Sequence, residues 1–397
     1  MNKHYIYFIS AGHMSTDLAT GALPAILPFL VSERGMSYTE VAGLIFASAM
    51  LASALQPLFG YFADRVTRHW FMGLGIMLSG TAIAVTGFLE DYWLMFAFVA
   101  LVGIGNSMFH PEAARLVNLI AGRSARGQGM AAFSVGGNAG FAFGPISAVA
   151  LVSFFGLQGL AVFAVIGIGM GAATLVLSPR IVQKAAHLQR QESSGAGRSP
   201  DKTEARTGAV HVNDWHAFSR LTLVLLGRSA VFNGIMTFLP LYCIHTLSVS
   251  NAVGGTVLSV FAVCGILMTI VGGWLADHIG LVNTARCTTA ALIPSLLLIA
   301  CAPNIWIIYL LLLPLCFATH GLYSSMVVLG QTYLSKSIGF ASGVTLGLST
   351  SFGGIIAPLM GKLADHAGIS SVIYLLIGIG AVCTIGAFLL PKPRGAA

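Results

Sequence analysis

The chain repeats an apolar run of about 20 residues, long enough to cross a lipid bilayer, twelve times. The runs begin near residues 5, 41, 69, 92, 127, 156, 216, 251, 284, 305, 340 and 370. Only 8% of the 397 residues are charged, whereas soluble domains carry about 25%. So few charges cannot cover two or three soluble domains, and runs that recur throughout are not one removable signal peptide. The sequence therefore predicts an all-α polytopic membrane protein with twelve transmembrane helices.

The basic residues between the runs predict the orientation of the chain. With an even number of spans both termini share one side, and segments rich in Lys and Arg stay in the cytoplasm. If the termini are cytoplasmic, only Arg34 and Lys362 of the basic residues outside the spans lie on the far side. We therefore expect a multi-pass protein of a bacterial-type cytoplasmic (inner) membrane, with both termini in the cytoplasm. The residues that this orientation places inside are Lys3, Arg65, Arg68, Arg123, Arg126, Arg180, Lys184, Arg190, Arg198, Lys202, Arg206, Arg220, Arg286, Lys336, Lys392 and Arg394.

The net charge of +7 does not indicate a nucleic-acid partner, because the basic residues are scattered between spans and form no stripe with interleaved aromatic residues. All six cysteines lie in the second half, mostly within apolar runs, and no Cys-x-x-Cys pair occurs. This arrangement indicates neither a disulfide framework nor a zinc ribbon, so we expect small buried apolar residues. The sequence predicts no metal site and no cofactor.

The two halves of the chain resemble each other at two landmarks. Gly-Tyr-Phe-Ala-Asp at residues 60 to 64 aligns with Gly-Trp-Leu-Ala-Asp at residues 273 to 277. At the same offset, the small residues that precede Pro145 align with those that precede Pro358. Two landmarks at one offset favour a duplication, and parallel six-helix halves with the substrate site between them are a known transporter plan. We expect a first half over residues 1 to 178, a flexible cytoplasmic linker over 179 to 214 and a second half over 215 to 397.

Residues 60 to 69, Gly-Tyr-Phe-Ala-Asp-Arg-Val-Thr-Arg-His, resemble the loop signature of the major facilitator superfamily between the second and third spans. Thr67 stands where the signature usually has glycine, and His69 replaces a final basic residue. Four other stretches are similar to the fosmidomycin resistance family of efflux proteins, namely residues 12 to 17, 109 to 115, 135 to 145 and 361 to 366. The resemblance covers most of the chain in the right order. It implies a monomeric, proton-driven exporter of a drug, and it does not identify the compound.

Ionisable side chains at membrane depth usually mark a transport pathway or a proton relay, because burying each one costs about 2.5 to 3.5 kcal/mol. His13 and Asp17 lie four residues apart on the first span and share a helix face. Counted along the helices, Glu112 on the fourth span lies at a similar depth, and Arg115 three residues later can neutralise it. We predict Asp17 and Glu112 as proton-coupling carboxylates, with His13 and His110 as relays. The alternative is a fixed ion-pair network that holds two helices together.

Polar side chains within the spans are candidates for the substrate cavity. Arg228 lies well inside the seventh span without an acidic neighbour in sequence. Its planar fork of donors suits an anionic group of the substrate; pairing with Asp17 and extension to the inner surface are the alternatives. The other predicted cavity residues, each of which could equally satisfy a helix contact, are Arg115, Asn138, Asn233, His320, Tyr323 and Gln331.

Residues at the cytoplasmic helix ends, together with a glycine–proline pair in the fifth span, are predicted to gate the transporter. The superfamily resemblance implies this role. In physical terms, an aspartate near a helix N-terminus is stabilised by the helix dipole, and breaking such a contact would permit the helices to move. For the arginines the alternative is a role in orientation alone. The predicted gating residues are Gly60, Asp64, Arg65, Arg68, Gly144, Pro145, Asp277 and Arg286.

Signatures of enzymes do not occur in this sequence. His110-x-Glu112 lacks the Pro-Cys-x-x-Cys partner of zinc deaminases, and no Gly-x-x-x-x-Gly-Lys-Ser/Thr loop is present for ATP hydrolysis. The sequence therefore predicts a secondary transporter whose partners are protons, a small-molecule substrate and the lipid bilayer. We expect an efflux antiporter that exports a small amphipathic or anionic compound by alternating access. The alternatives are a proton symporter that imports a metabolite, coupling to sodium, and a non-transporting receptor or scaffold.

Overall fold

The computed structural model describes residues 3–65, 70–121, 126–195 and 213–392. Over these four ranges the chain is almost entirely α-helical, and its β-structure is limited to an isolated bridge between Asn213 and Leu334. The prediction of an all-α polytopic membrane protein is therefore confirmed.

The first half of the chain forms helices that begin within a few residues of the predicted runs. Two of the connecting turns contain glycines with φ of +66°, Gly35 and Gly156, a conformation that other residues adopt at a cost. The helices are α1 (Lys3–Arg34), α2 (Tyr38–Arg65), α3 (Trp70–Thr86), α4 (Tyr92–Ala121), α5 (Arg126–Phe155) and α6 (Ala161–Gly195), with a short 3-10 helix at Leu157–Leu160 before α6.

The second half contains two pairs of shorter helices in place of single long spans. Only Ala291 separates the ninth helix from the tenth, and Gly321 and Leu322 separate the eleventh from the twelfth. The helices are α7 (Trp215–Leu247), α8 (Asn251–Ile279), α9 (Leu281–Ala290), α10 (Leu292–Ala300), α11 (Ile305–His320), α12 (Tyr323–Tyr333), α13 (Ile338–Ala367) and α14 (Ser370–Phe388).

The helices account for the twelve predicted spans. Ten segments of the described chain are long and apolar enough to cross a membrane, counting α9 with α10 and α11 with α12 as one segment each. The other two predicted spans correspond to the 17-residue apolar helix Trp70–Thr86 and to the 30-residue helix Ile338–Ala367. The described helices therefore fit a twelve-span chain.

Helix α6 continues into the segment predicted as a flexible linker. It runs through Gly195, so residues 179 to 195 are helical, and residues 196 to 212 lie outside the described part of the chain. Pro179 lies inside this helix. The segment after it contains Gln, Lys, Ala and Leu, which all favour helix, so a polar composition did not by itself indicate a loop.

The chain forms two compact units, each held together by contacts among its own residues. Unit 1 comprises Met1–Ile26 and Met50–Gly208, and unit 2 comprises Leu27–Ala49 and Ala209–Ala397. The C-terminal end of α1 and the N-terminal part of α2 thus pack with the second half of the sequence. A domain boundary placed only at the linker assigns both segments to the first half instead. In unit 1, a core of buried apolar residues from α1, α3, α4, α5 and α6 includes Phe109 and Phe133, which are 1% and 5% exposed.

Candidate functional site

Helices α1 and α4 bring His13, Asp17 and His110 together in unit 1. Asp17 Oδ2 lies 3.1 Å from His13 Nε2, and Asp17 Oδ1 lies 3.3 Å from His110 Nε2. The first contact follows from the four-residue spacing on α1, whereas the second joins two helices. Asp17 is 3% exposed, so both contacts are buried. Among the residues that the structure describes, this is the one group of three His, Cys, Asp or Glu side chains whose donor atoms converge, within 4.8 Å of one another.

A backbone carbonyl holds the second ring nitrogen of each histidine. His13 Nδ1 lies 2.7 Å from the carbonyl oxygen of Phe133, and His110 Nδ1 lies 2.9 Å from that of Asn106. Because a carbonyl oxygen only accepts hydrogen bonds, each Nδ1 carries a proton and donates it. In a neutral imidazole the Nε2 atom then has a lone pair. Each Nε2 atom therefore needs an added proton before it can donate to Asp17.

Helix α5 covers one side of this cluster at two glycines. A Cβ atom at Gly137 would lie 2.5 Å from His13 Nε2 and 2.8 Å from Asp17 Oδ2. A Cβ atom at Gly140 would lie 2.8 Å from Asp17 Cβ. Only the absence of side chains at these two positions lets α5 approach α1 closely enough to cover the carboxylate.

Aromatic rings fix the position of His13. The ring of Phe133 stacks on it with centroids 4.0 Å apart, and the ring of His110 meets it edge-on at 4.9 Å. The side chain of His110 is 24% exposed and that of His13 is 10% exposed. His110 is thus the more accessible of the two rings, and His13 is the more firmly held.

A second polar contact ties α4 to α1 next to the cluster. The side-chain Nδ2 of Asn106 donates to Thr20 Oγ1 at 2.7 Å, and the backbone carbonyl of Asn106 accepts from His110 Nδ1. Although Asn138 and Asn233 in other spans were predicted as cavity residues, Asn106 was not among the predicted site residues. Its position four residues before His110 is the one available clue.

Glu112 forms an ion pair apart from the His13–Asp17–His110 cluster. Arg115 donates to it through Nε at 3.0 Å and through Nη2 at 2.8 Å, as their three-residue spacing allows. Glu112 is 1% exposed, and the side chain of Arg115 is 24% exposed. Two residues along a helix correspond to a rotation of about 200°, so His110 and Glu112 face different neighbours.

In unit 2, Arg228 is buried against aromatic rings. It is 3% exposed, and its guanidinium carbon lies 5.7 Å from the ring centroid of Phe232 and 5.5 Å from that of Tyr323. Its Nη1 atom donates to the carbonyl oxygen of Thr319 at 2.8 Å. Thr319 lies in the last turn of α11, where carbonyl groups have no partner within the helix. The break between α11 and α12 thus provides an acceptor for the arginine.

His320 lies beside this arginine cluster. Its ring is 5.4 Å from the ring of Phe232 and 5.0 Å from that of Phe261, and its Nδ1 atom is 3.1 Å from Thr319 Oγ1. A Cβ atom at Gly265 would lie 2.5 Å from His320 Nε2, so α8 approaches the ring closely. Helices α7, α8, α11 and α12 therefore bring together three of the predicted cavity residues, Arg228, His320 and Tyr323.

The remaining predicted cavity residues have more ordinary surroundings. Asn233 Nδ2 donates to the carbonyl of Ser229, four residues earlier on α7, at 3.0 Å. Asn138 is exposed on α5, and Gln331 is half-buried on α12. Asn233 lies five residues beyond Arg228, about 7.5 Å further along α7.

The predicted gating residues fall into three groups. Gly60, Asp64 and Arg65 lie in the final turns of α2 with side chains outside the described set, and Arg68 lies outside the described residues. Gly144 and Pro145 are buried on α5, and a Cβ atom at Gly144 would lie 2.6 Å from the carbonyl oxygen of Leu18. Asp277 is exposed on α8, whereas Arg286 donates to the carbonyl oxygens of Phe388 at 3.2 Å and Leu390 at 3.0 Å.

Asp365 makes a contact that the sequence did not predict. Its Oδ1 atom accepts from the amide of Tyr38 at 2.8 Å, and its Oδ2 atom accepts from the amide and hydroxyl of Thr39 at 2.9 and 2.5 Å. The carboxylate at the end of α13 therefore caps the N-terminus of α2 within unit 2. The motif Gly-Lys-Leu-Ala-Asp at residues 361 to 365 was visible in the sequence, but its partner was not.

Two known membrane proteins are similar to this chain over nearly its whole length. The fosmidomycin resistance protein of Escherichia coli (strain K12) is 25% identical over 366 residues, which cover 92% of this chain and 87% of that protein. The membrane sensor protein UhpC of Salmonella typhimurium (strain LT2) is 24% identical, with 99% of this chain and 92% of that protein covered. The predicted resemblance to the fosmidomycin resistance family is therefore confirmed.

A solved structure shows the same fold. The bacterial homologue of the human lysosomal transporter Spinster, in its inward-facing and occupied conformation, superposes with a TM-score of 0.74 at 13% identity, covering 98% of this chain and 96% of that chain. The family model described as Major Facilitator Superfamily matches residues 9–357. The chain therefore belongs to the Major Facilitator Superfamily, and it is a multi-pass transporter-type membrane protein rather than an enzyme.

Proposed function

We propose that this protein is a proton-coupled antiporter that exports a small anionic or amphipathic compound by alternating access. The observation that carries the proposal is the cluster of His13, Asp17 and His110, in which two Nε2 atoms face one buried carboxylate while both Nδ1 atoms donate to carbonyl groups. In a site built in this way, each proton bound at an Nε2 atom creates a hydrogen bond to Asp17.

The hydrogen-bond inventory supports the uptake of up to about two protons. With no added proton, the cluster carries the single negative charge of Asp17 and two lone pairs directed at it. With about two added protons, both imidazole rings are cationic, both contacts to Asp17 are attractive, and the net charge is about +1. The cluster thus changes its charge by as much as two elementary charges between its loaded and unloaded states.

The two histidines have different parts in this proposal. His110 has the larger exposed fraction, so it exchanges protons with water first. His13 is stacked on Phe133 at 4.0 Å, so it holds Asp17 in place and receives the second proton. Imidazole is suited to both tasks because its unperturbed titration range lies near physiological pH.

The chemistry of the three donors favours protons over sodium as the coupling ion. Two of the three are imidazole nitrogens, whereas hard cations favour carboxylate, carbonyl and water oxygens. Imidazole and carboxylate do suit transition metals, so the transport assays need a chelator to remove trace metal. Proton uptake that persists in the chelator then belongs to the side chains.

The Glu112–Arg115 pair is assigned a structural part in the same proposal. Both oxygens of Glu112 already accept from Arg115, at 2.8 and 3.0 Å, so this carboxylate is held by a two-point contact with a permanent cation. Asp17 has no such permanent cation beside it among the described residues, since its two neighbours are histidines. Asp17 is therefore the coupling carboxylate that we propose.

Arg228 is the proposed contact for the anionic group of the substrate. Its planar donor fork suits a carboxylate, phosphate or phosphonate, and the rings of Phe232 and Tyr323 hold it in one orientation while offering apolar surface. The name of the Escherichia coli relative supports a phosphonate antibiotic, fosmidomycin, as the first compound to test.

A transport assay also distinguishes two other functions. A proton symporter would use the same cluster with the substrate moving in the same direction as the protons. A membrane sensor is suggested by the name of the UhpC relative. Direction and turnover, rather than the site itself, distinguish these functions from the proposed antiport.

The purified protein in sealed vesicles with an internal pH indicator and a chelator tests the proposal. Fosmidomycin added on one side should move protons toward that side, opposite to the drug, and Asp17→Asn should abolish this movement. Asp91→Asn, which removes a carboxylate that caps α4 at Leu94, is the matched control and should behave as the wild type. Proton movement in the same direction as the drug indicates symport. Binding without flux at any pH gradient indicates a sensor.

A further inference from the structure

An open apolar groove lies between α7 and α14 in unit 2. Its volume is about 680 Å³. Its lining on α14 runs from Tyr374 to Leu389, which corresponds to about 22 Å along the helix axis. Helix α7 contributes Leu223, Val224 and Gly227. The groove thus runs along a transmembrane helix.

Glycines create this groove. A Cβ atom at Gly386 would lie 3.0 Å from Val224, so the two helices are close at that level. At Gly378, by contrast, a Cβ atom would have no neighbouring atom within 4 Å. The groove is therefore open at Gly378, where α14 has no side chain. In a bilayer, a hydrocarbon chain can pack against its apolar wall.

Two arginines lie at one end of the groove. Arg220 Nη1 donates to the carbonyl oxygen of Leu389 at 3.1 Å, and Leu389 lines the groove. Arg286 donates to the carbonyl oxygens of Phe388 and Leu390. The guanidinium carbon of Arg286 also lies 5.8 Å from the ring centroid of Phe388. Both guanidinium groups are therefore anchored to the C-terminal end of α14.

The carboxylate that lies nearest to Arg220 in sequence is engaged as a helix cap. Asp214 accepts from the amide of Ala217 at 2.9 Å and is the N-cap of α7. Arg220 is exposed, and the exposed Lys392 follows α14 in the chain. Each guanidinium group has five N–H donors, more than the carbonyl contacts described above use.

We infer that this groove binds an anionic phospholipid, with one acyl chain along α14 beside Gly378 and the phosphate at Arg220 and Arg286. Basic residues at the cytoplasmic end of transmembrane helices attract anionic headgroups, and guanidinium groups bind phosphate through paired hydrogen bonds. The predicted orientation of the chain places this end in the cytoplasmic leaflet. The inference does not depend on proton coupling or on the identity of the substrate.

Native mass spectrometry of the full-length protein tests this inference, with phosphatidylglycerol and phosphatidylethanolamine of identical acyl chains added in detergent. The wild type should retain phosphatidylglycerol at least 5-fold more than phosphatidylethanolamine. Gly378→Leu should reduce the retention of both lipids, because the new side chain starts from a Cβ position with open space around it and occupies the groove. Arg220→Gln with Arg286→Gln should remove the preference for phosphatidylglycerol, and Arg220→Lys with Arg286→Lys should restore most of it.

Gly169→Leu is the matched control, because Gly169 is an exposed glycine on α6 whose Cβ atom would also have no neighbour within 4 Å. It should leave retention of both lipids unchanged. Equal retention of the two lipids by the wild type would overturn the inference, and so would undiminished retention by Gly378→Leu. A melting curve of each variant confirms that it is folded before retention is compared.

Discussion

Asp17 Oδ1 on α1 lies 3.3 Å from His110 Nε2 on α4, and among the described residues this oxygen has no hydrogen-bond partner when His110 is neutral. The other nitrogen of the ring donates to the carbonyl of Asn106, so the ring cannot supply its single neutral-state proton to Asp17. A buried carboxylate oxygen without a hydrogen bond is costly. Protonation of His110 removes that cost, and this makes the contact between the two helices depend on proton binding.

His110→Gln should lower the number of protons that move with each substrate molecule by about one, since the amide cannot take up the proton that His110 accepts at Nε2. Acid favours the loaded cluster and alkali the empty one. Because substrate and protons occupy the proposed antiporter in turn, the wild type should release protons as substrate binds. Proton release can be measured with a pH indicator in weakly buffered detergent solution. His366→Gln, at the end of α13, is the control and should release protons as the wild type does. Equal release by His110→Gln and the wild type would remove His110 from the mechanism.

Gly137→Ala should reduce transport at least 10-fold while the protein remains folded. The added methyl group would lie 2.5 Å from His13 Nε2 and Cε1, which is closer than the van der Waals contact of such atoms, so the ring must move. His13 is held by the Phe133 stack and by a 2.7 Å hydrogen bond, so this movement disturbs its contact with Asp17. Initial rates of drug export from vesicles measure the effect.

The matched control for this variant is Gly169→Ala, because that position has open space around its Cβ atom. Both substitutions raise helix propensity by the same amount, so a difference between them reports the contact with His13. Normal export by Gly137→Ala would show that the cluster tolerates displacement, contrary to the proposed mechanism.

The sequence predicts the spans well because bilayer thickness sets the length of each apolar run, and that length is a local property. It also predicts contacts within one helix: His13 with Asp17 and Glu112 with Arg115 follow from spacings of four and three residues. Contacts between helices depend on the rotation of each helix about its own axis. The sequence therefore could not show that His110, rather than Glu112, reaches Asp17.

Contacts made by backbone atoms are the hardest to predict. The carbonyl of Phe133 sets the tautomer of His13, and the amides of Tyr38 and Thr39 bind Asp365, yet the identity of a residue does not report the direction of its backbone groups. Gly137 did leave a signal. Gly136, Gly140 and Gly144 follow a four-residue period that predicts helix packing, and Gly137 is the glycine outside that period.

Glu112→Gln should destabilise the protein without changing the proton-to-substrate ratio of the folded fraction. It replaces a charged acceptor of Arg115 by a neutral amide. Since the arginine side chain is 24% exposed, the expected loss is about 1 to 3 kcal/mol, less than for a fully buried pair. Glu112→Gln with Arg115→Gln should recover part of the loss. Melting temperature in detergent and proton stoichiometry in vesicles measure the two effects. A folded Glu112→Gln protein that binds substrate but moves no protons would instead make Glu112 a coupling carboxylate.

Asp365→Ala should loosen the start of α2, because the carboxylate that accepts from the amides of Tyr38 and Thr39 is then missing. Losing an N-cap costs about 0.5 to 2 kcal/mol, and a charged acceptor near a helix N-terminus also interacts favourably with the helix dipole. Hydrogen exchange of the Tyr38 and Thr39 amides should accelerate by at least 3-fold. Asp91→Ala is the control, because Asp91 accepts from the amide of Leu94 in the first turn of α4. It should accelerate exchange at Leu94 and leave exchange in α2 unchanged. Unchanged exchange at α2 in Asp365→Ala would mean that water or another residue replaces the carboxylate, and that the link between α13 and α2 does not depend on Asp365.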